Sequence, residues 1–230
     1  FTFYGGLYRD VNFIEVNDAH FDLLLDGTQA VFVTPHNVGK TRVDLFPVNA
    51  EGATIAVELK DAEGNVVGET TTTDTKVSFV IENVHKWQAR KDPYLYTATV
   101  KLEDCDTVSA RFGCRGFVID PDRGFILNGE EYPLRGVARH QDRWGIGNAL
   151  LPEHHAEDVD LIMEVGATTI RLAHYQHNQY FYDLCDEKGL VLWAEIPYIT
   201  THLENGMENT RTQMTELIIQ NYNHPSIVVW

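Results

Sequence analysis

Three apolar runs in the second half of the chain each lead into groups that move protons or hold hydroxyls. Residues 132–138 are followed by Arg139, His140 and Asp142. Residues 169–173 contain Arg171 and are followed by His174 and Tyr175, and residues 190–196 carry Glu195 near their end. An imidazole switches between donor and acceptor, a carboxylate accepts or delivers a proton, and an arginine inside a strand needs a partner. Repetition of such groups at matching positions describes one rim of a shared site. Trp144 adds a ring that can stack on the apolar face of a ligand, whereas Trp193, inside a run, reads as core. His174-x-x-His177 and His154-His155 suggest zinc, but no His-Glu-x-x-His is present and adjacent helical residues diverge, so no metal site is expected.

Placing those groups on one rim takes parallel strands. Residues 132–138, 169–173, 190–196 and 227–230 are apolar on both faces, as strands covered on both sides are. The 3.6-residue period predicts helices between them. The first spans 152–165, with Pro152 in its first turn, Val159, Ile162 and Met163 on one face, and Gly166 as a left-handed terminator. The second spans 178–188, buried through Phe181, Leu184 and Cys185 and stopped at Gly189. The third spans 212–222, buried through Met214, Leu217 and Ile218 and ended by His224-Pro225. This β-α-β-α-β-α-β order allows a doubly wound sheet or a (β/α)8 barrel. No glycine-rich phosphate loop opens a helix, which weakens the nucleotide-binding version. In a barrel, functional groups gather past the C-terminal strand ends, where these lie. A closed barrel takes about 250 residues, so 118–230 are expected to supply its first half. The open edges of that half predict pairing with another chain, a homo-oligomer included.

Residues 1–117 read as β structure. Strands are expected at 41–48, with a slip at Phe46 suggesting a bulge, and at 54–59, 66–73, 76–81, 94–102 and 107–112. Their short, regular spacing suggests an antiparallel sandwich. Trp87 and Pro93-Tyr94-Leu95-Tyr96 read as strand-entry packing.

The chain has 230 residues with 34 acidic and 18 basic side chains, a formal net charge of −16. That balance argues against a nucleic-acid partner, which needs a basic surface. No stretch is long and apolar enough to span a membrane. The three cysteines, Cys105, Cys114 and Cys185, form no C-x-x-C and read as reduced thiols in a reducing, cytoplasmic compartment, with a Cys105–Cys114 disulfide as the minority option. The opening Phe-Thr-Phe-Tyr reads as the interior of a longer chain.

Ordered motifs across nearly the whole chain resemble glycoside hydrolase family 2. Gly5-Gly6-Leu7-Tyr8-Arg9-Asp10-Val11 resembles the end of that family's sugar-binding jelly-roll domain. Phe125-x-Leu127-Asn128-Gly129 and Leu134-Arg135-Gly136-Val137-x-Arg139-His140-x-Asp142 resemble its barrel entry. Ile170-Arg171-x-x-His174-Tyr175, the run Cys185-Asp186-Glu187-Lys188-Gly189-Leu190 with Glu195, and Asn223-His224-Pro225-Ser226-Ile227-Val228-Val229-Trp230 resemble later segments. Gln176 stands where the family usually has proline, and Ala194 where many members have aspartate.

The resemblance implies a jelly-roll tail over 1–26, an immunoglobulin-like β-sandwich over 27–117, and the N-terminal half of a (β/α)8 TIM barrel over 118–230. It implies hydrolysis of terminal non-reducing β-D-galactosides by a retaining mechanism using two carboxyls about 5–5.5 Å apart. Both of those glutamates fall beyond Trp230 in the family pattern, so no catalytic residue is expected within this chain and the chain alone is expected to be inactive. The alternatives are β-glucuronidase or β-mannosidase activity, or a non-catalytic carbohydrate-binding or scaffold module. By the same resemblance His140 and His174 contact the sugar with Asp142 and Trp144 beside them, while Arg139, Arg171 and Glu195 support the site. No cofactor is evident. Mg²⁺ is an option for the longer protein, with carboxylates from elsewhere, and His202 and Glu204 lie near that region without matching its register.

Overall fold

A computed structural model describes residues 5–28, 30–201 and 203–230. Residues 5–19 carry no helix or strand. The first half then forms β1 (His20–Phe21), β2 (Val31–Pro35), β3 (Lys40–Leu45), β4 (Pro47–Val48), β5 (Ile55–Lys60), β6 (Val66–Thr72), β7 (Lys76–Val80), β8 (Tyr96–Leu102) and β9 (Asp106–Phe112). These make two antiparallel sheets, β2-β3-β7 and β6-β5-β8-β9, with β1 and β4 paired separately. Period-2 alternation builds the core between the sheets. Ile55, Val57 and Leu59 of β5 face Tyr96, Ala98, Val100 and Leu102 of β8 along one ladder, and Val31, Val33, Val43 and Leu45 close over them. The result is the immunoglobulin-like sandwich.

Two elements of this half depart from the sequence expectation. The slip at Phe46 is no bulge: it ends β3 and starts β4, which pairs with β1 in a different sheet. β2 was not expected at all. Val31, Phe32 and Val33 are buried consecutively because one face meets the sandwich core and the other meets the barrel, where Phe32 packs on Tyr222. A strand buried on both sides carries no alternation to read.

A small antiparallel sheet follows, made of β10 (Phe117–Asp120), β11 (Gly124–Leu127) and β12 (Glu130–Glu131). Phe125 and Leu127 join Trp87, Ala89 and Val191 in a buried cluster at the start of the barrel strands. The barrel region comprises β13 (Gly136–Arg139), α1 (Pro152–Glu164), β14 (Thr169–Leu172), α2 (Gln179–Lys188), β15 (Val191–Ala194), α3 (Met207–Gln220) and β16 (Ile227–Val229). Its strands are parallel and neighbours in sequence order. β13 starts at Gly136 instead of residue 132, because Pro133 has no N–H to give the ladder and the Tyr132 N–H donates to Phe125 O in the small sheet. α3 starts five residues earlier than expected, led in by a 3-10 turn over Glu204–Gly206.

Capping follows the sequence signals. The Asn178 side chain accepts from Tyr180 N, and Gly189 ends α2 at φ +70°. A Cβ at Gly189 would lie 2.2 Å from the Ala89 backbone, so glycine also permits the sandwich side to close on α2. Ile170, Leu172, Leu192, Ala194 and Ile227 pack on Val159, Phe181, Leu184 and Leu217 of the helices. The other sheet face carries Ala138, Arg171 and Trp193 in register, and Trp193 is 47% exposed. This corrects its reading as core: its parity points it away from the helices.

The sandwich is bound tightly to the loop that enters β16. The Asn223 side chain accepts from Val33 N at 2.8 Å and donates to Val31 O at 2.9 Å, acting as an extra strand residue on the edge of β2. Arg115 donates to Pro225 O at 2.6 Å and Ile227 O at 2.7 Å. Trp87 Nε1 donates to Asp186 O, and Arg111 pairs with Asp183 and Glu187 of α2.

Candidate active-site rim

The C-terminal strand ends carry a connected polar group. Arg171 Nε donates to Glu195 Oε1 at 2.5 Å and Nη2 to Oε2 at 3.2 Å, a bidentate grip that occupies both carboxylate oxygens. His174 Nδ1 lies 3.0 Å from Arg171 Nη2 and 3.2 Å from Glu195 Oε2. Nδ1 accepts from the guanidinium or donates to the carboxylate, one at a time, and the choice sets whether Nε2 donates or accepts. Among the described residues Nε2 has no partner, so it is left for a ligand in either tautomer. The His140 ring sits edge-on to His174, centroids 5.1 Å apart, with Tyr175 at 6.1 Å. Arg171, His174, Trp193, Glu195, Tyr198 and Trp230 border an open cleft of about 360 Å³.

Other expected site residues lie elsewhere. Arg139 shares the parity of Val137 and points under the sheet, between β13, α1 and α2. There it donates to Asp158 Oδ2 through Nε at 3.0 Å and Nη2 at 2.6 Å, and stacks 4.0 Å above Phe181. Its remaining donors reach His177 Nδ1 at 3.0 Å and His155 Nδ1 at 3.1 Å. Burial, with the Arg139 charge second, lowers His155 to about 4 and His177 well below its ordinary value. Arg139 therefore ties α1 and α2 to the loop that follows β14 from beneath. Asp142 is exposed, and Trp144 is 99% exposed at the tip of a turn closed by Arg143 and Gly147, clear of the Arg171 cleft.

The loop after β14 is fixed residue by residue. Tyr175 OH accepts from Gln141 N, Gln176 Nε2 donates to Gln220 Oε1, His177 N donates to Tyr182 OH, and Asn178 N donates to Gln141 Oε1. Sequence reasoning missed Gln141, which is buried and spans the first two loops. Its position between two candidate histidine loops was the available signal.

Among the described residues, one cluster has metal-ligand spacing: Asp183, Asp186 and His224. It lies against the sandwich, away from the rim, and its groups are already partnered. Asp183 holds Arg111, while Asp186 accepts from Ser226 N at 3.1 Å and faces His224 Nδ1 at 2.6 Å. Burial lowers His224 and the Asp186 carboxylate raises it by more, so its net pKa lies above the ordinary value. Among the described residues bordering the cleft, Glu195 is the one carboxylate and is held by Arg171, which does not suit the several free oxygens that Mg²⁺ needs. His202 lies outside the described residues. Cys105, Cys114 and Cys185 are free thiols, which removes the disulfide option.

Comparison with known proteins places this geometry. A family model described as "Glycosyl hydrolases family 2" matches residues 28–115, and "Glycosyl hydrolases family 2, TIM barrel domain" matches residues 120–230. A β-glucuronidase of Bacteroides fragilis is 36% identical over 258 residues, covering 100% of this chain and 37% of that protein. The crystal structure of an FMN-binding β-glucuronidase from Faecalibacterium prausnitzii L2-6 is 43% identical with a TM-score of 0.93, covering 99% of this chain and 37% of that one. The crystal structure of a putative β-galactosidase from Bacteroides fragilis is 37% identical with a TM-score of 0.85, covering 94% of this chain and 35% of that one. The chain thus spans just over a third of the length of each of these three relatives. With both of its halves matched in the family's own order, on a sandwich and barrel strands that carry the rim described above, this chain belongs to glycosyl hydrolase family 2.

Proposed function

We propose that the protein carrying this chain hydrolyses terminal β-glycosides with retention of configuration, and that its sugar is a β-glucuronide. The observation that carries the reading is the rim itself. Arg171 and Glu195 hold His174 with one ring nitrogen free, edge-on to His140, at the strand ends where barrel enzymes bind substrate. Two adjacent imidazoles, His174 held by Arg171 and Glu195 and His140 edge-on to it, can donate to and accept from neighbouring ring hydroxyls of one pyranose. Arg171 and Glu195 act as positioning groups: each uses its polar atoms on the other and on His174. Retention calls for two further carboxyls about 5–5.5 Å apart, and the rim of the described residues supplies no such pair. The isolated chain is therefore expected to bind weakly and turn nothing over.

The glucuronide is favoured because two relatives that match this chain over nearly its whole length, at 36% and 43% identity, are called β-glucuronidases. The β-galactoside of the sequence expectation is the second reading, favoured by the putative β-galactosidase structure. Assaying the full-length protein on 4-nitrophenyl β-glucuronide, β-galactoside and β-mannoside separates them. A kcat/KM at least tenfold higher on glucuronide is expected, the reverse order selects galactoside, and activity on none overturns the hydrolase reading. In that event, calorimetric heat from the isolated chain with a monosaccharide would favour a binding module.

A further inference from the structure

The segment before the sandwich lies beside the rim. Gly6, Tyr8 and Arg9 face Asn148, Tyr175 and Pro197 across a cleft of about 450 Å³. The segment has no regular structure, and Leu7, Val11, Phe13 and Ile14 are exposed. Among the described residues, one hydrogen bond ties residues 5–16 to the rest of the chain: Arg9 Nη2 donates to Gln176 O at 2.7 Å. Gln176 does not stand alone. Its Nε2 donates to Gln220 Oε1 at 2.8 Å, and Gln220 Nε2 donates to Asp26 O at 2.6 Å. Donor and acceptor alternate along this relay, so each amide orientation is fixed by the next: Gln220 must donate to a carbonyl, which turns its oxygen toward Gln176. The relay joins the His174 loop, α3 and the entrance to the sandwich, and it holds the Gln176 backbone whose carbonyl receives Arg9 of the segment.

We propose that Gln176 is a positioning residue that seats residues 5–16 against the sugar-binding rim and thereby shapes the side of the site lined by Tyr8 and Tyr175. A proline at this position, usual in the resemblance set out above, keeps the carbonyl that Arg9 uses but has no side-chain amide to reach Gln220. The relay is thus a feature of this sequence. Gln176 lies two residues from His174, so a loss of seating acts on substrate binding before it acts on bond cleavage. This consequence rests on the hydrolase reading, while the seating itself does not.

Two measurements on the full-length protein test it. The first is the rate at which proteinase K cuts within residues 5–16, read by mass spectrometry, since cleavage follows local release of the chain. Gln176→Ala, Gln176→Pro and Gln220→Ala are each expected to speed it about three- to tenfold, the worth of one lost hydrogen bond. Gln220→Ala leaves the rim sequence intact, so it guards against a local folding defect. The second is steady-state kinetics on the preferred nitrophenyl glycoside. KM is expected to rise by a similar factor with kcat within about twofold, and Arg9→Ala combined with Gln176→Ala should raise KM no further than either alone. Unchanged cleavage in all three variants overturns the seating. Faster cleavage with unchanged KM, or additive effects in the double variant, overturns the positioning role. Faster cleavage in the variants of a protein that turns over no glycoside removes the hydrolase reading and keeps the seating.

Discussion

The two ends of the barrel strands treat polar groups differently. At the entry to β16, Asn223 and Arg115 spend their polar atoms on main-chain partners, Val31 and Val33, Pro225 and Ile227, while Asp186 holds Ser226 N and the His224 ring. Those groups are buried or half-buried: Asn223 and Arg115 lock the sandwich to the barrel region, and Asp186 fixes the loop that they grip to α2. At the exit rim, Arg171, Glu195 and His174 bond one another, and His140 is exposed. Saturated main-chain bonding leaves nothing for a ligand. A side-chain triad with a spare imidazole nitrogen does. The sandwich is a clamp on the end whose groups are saturated, and the exchangeable side-chain bonds lie at the other.

Substitutions should separate the two ends, the first being the most severe. Asp186→Ala removes a carboxylate that is 2% exposed and strands His224, and is expected to cost about 3–5 kcal/mol by urea unfolding. A loss below about 1 kcal/mol would mean that the loop entering β16 does not depend on the Asp186 carboxylate. Glu195→Gln, at the rim, should lower kcat/KM of the full-length protein about a hundredfold by releasing Arg171 and His174 from their geometry. Its unfolding midpoint should stay near that of the parent, which is the contrast with Asp186→Ala. Asn223→Ala is expected to cost about 2 kcal/mol for two lost bonds to β2, with no change in kcat once folded.

Acid should act oppositely on two histidine sites. His155 and His177 have folded pKa values below the unfolded one, so they are held neutral, and their contribution is present above about pH 6.5 and lost as pH falls. With His155 near 4, moving from pH 7 to 5 costs about 2 kcal/mol at that site alone, and His177 adds in the same direction. His224 is raised, so its contribution is complete below about pH 6.5 and fades as pH rises through its folded value. Replacing His155 by Gln should flatten the acid limb of a pH–stability curve, and replacing His224 by Asn the alkaline one. The smallest effect is expected for Trp144→Ala, within about 0.5 kcal/mol of parent stability, because the side chain is 99% exposed. An unchanged KM for that variant would remove Trp144 from the sugar contacts.

Local chemistry was readable in the sequence wherever one residue type settles it. Asn178 and Gly189 mark the ends of α2 because a side-chain acceptor and a left-handed φ are needed there. Ile55, Val57 and Leu59 announce a half-buried strand by alternation. The polar groups after β13, β14 and β15 were visible, and His140, His174, Arg171 and Glu195 do come together. Arg139 was legible as a polar group but not in its direction, because a strand boundary one residue off reverses which face a side chain takes. β2 was hidden by burial on both faces, and Asn223 gave no hint of partners some 190 residues away.

By itself, then, the chain's order of residues determined most of its elements, its domain order and the family to which it belongs, since these rest on neighbours a few positions apart and on motifs in sequence. Only the tertiary structure decided which groups meet: Arg139 with two histidines beneath the sheet, Asn223 with the edge of β2, and Gln176 with Arg9 and Gln220. Each of those meetings depends on side-chain direction and on docking between distant segments. A hydrogen bond is satisfied by any partner of the right polarity, so composition and spacing leave its choice open until the surfaces have closed.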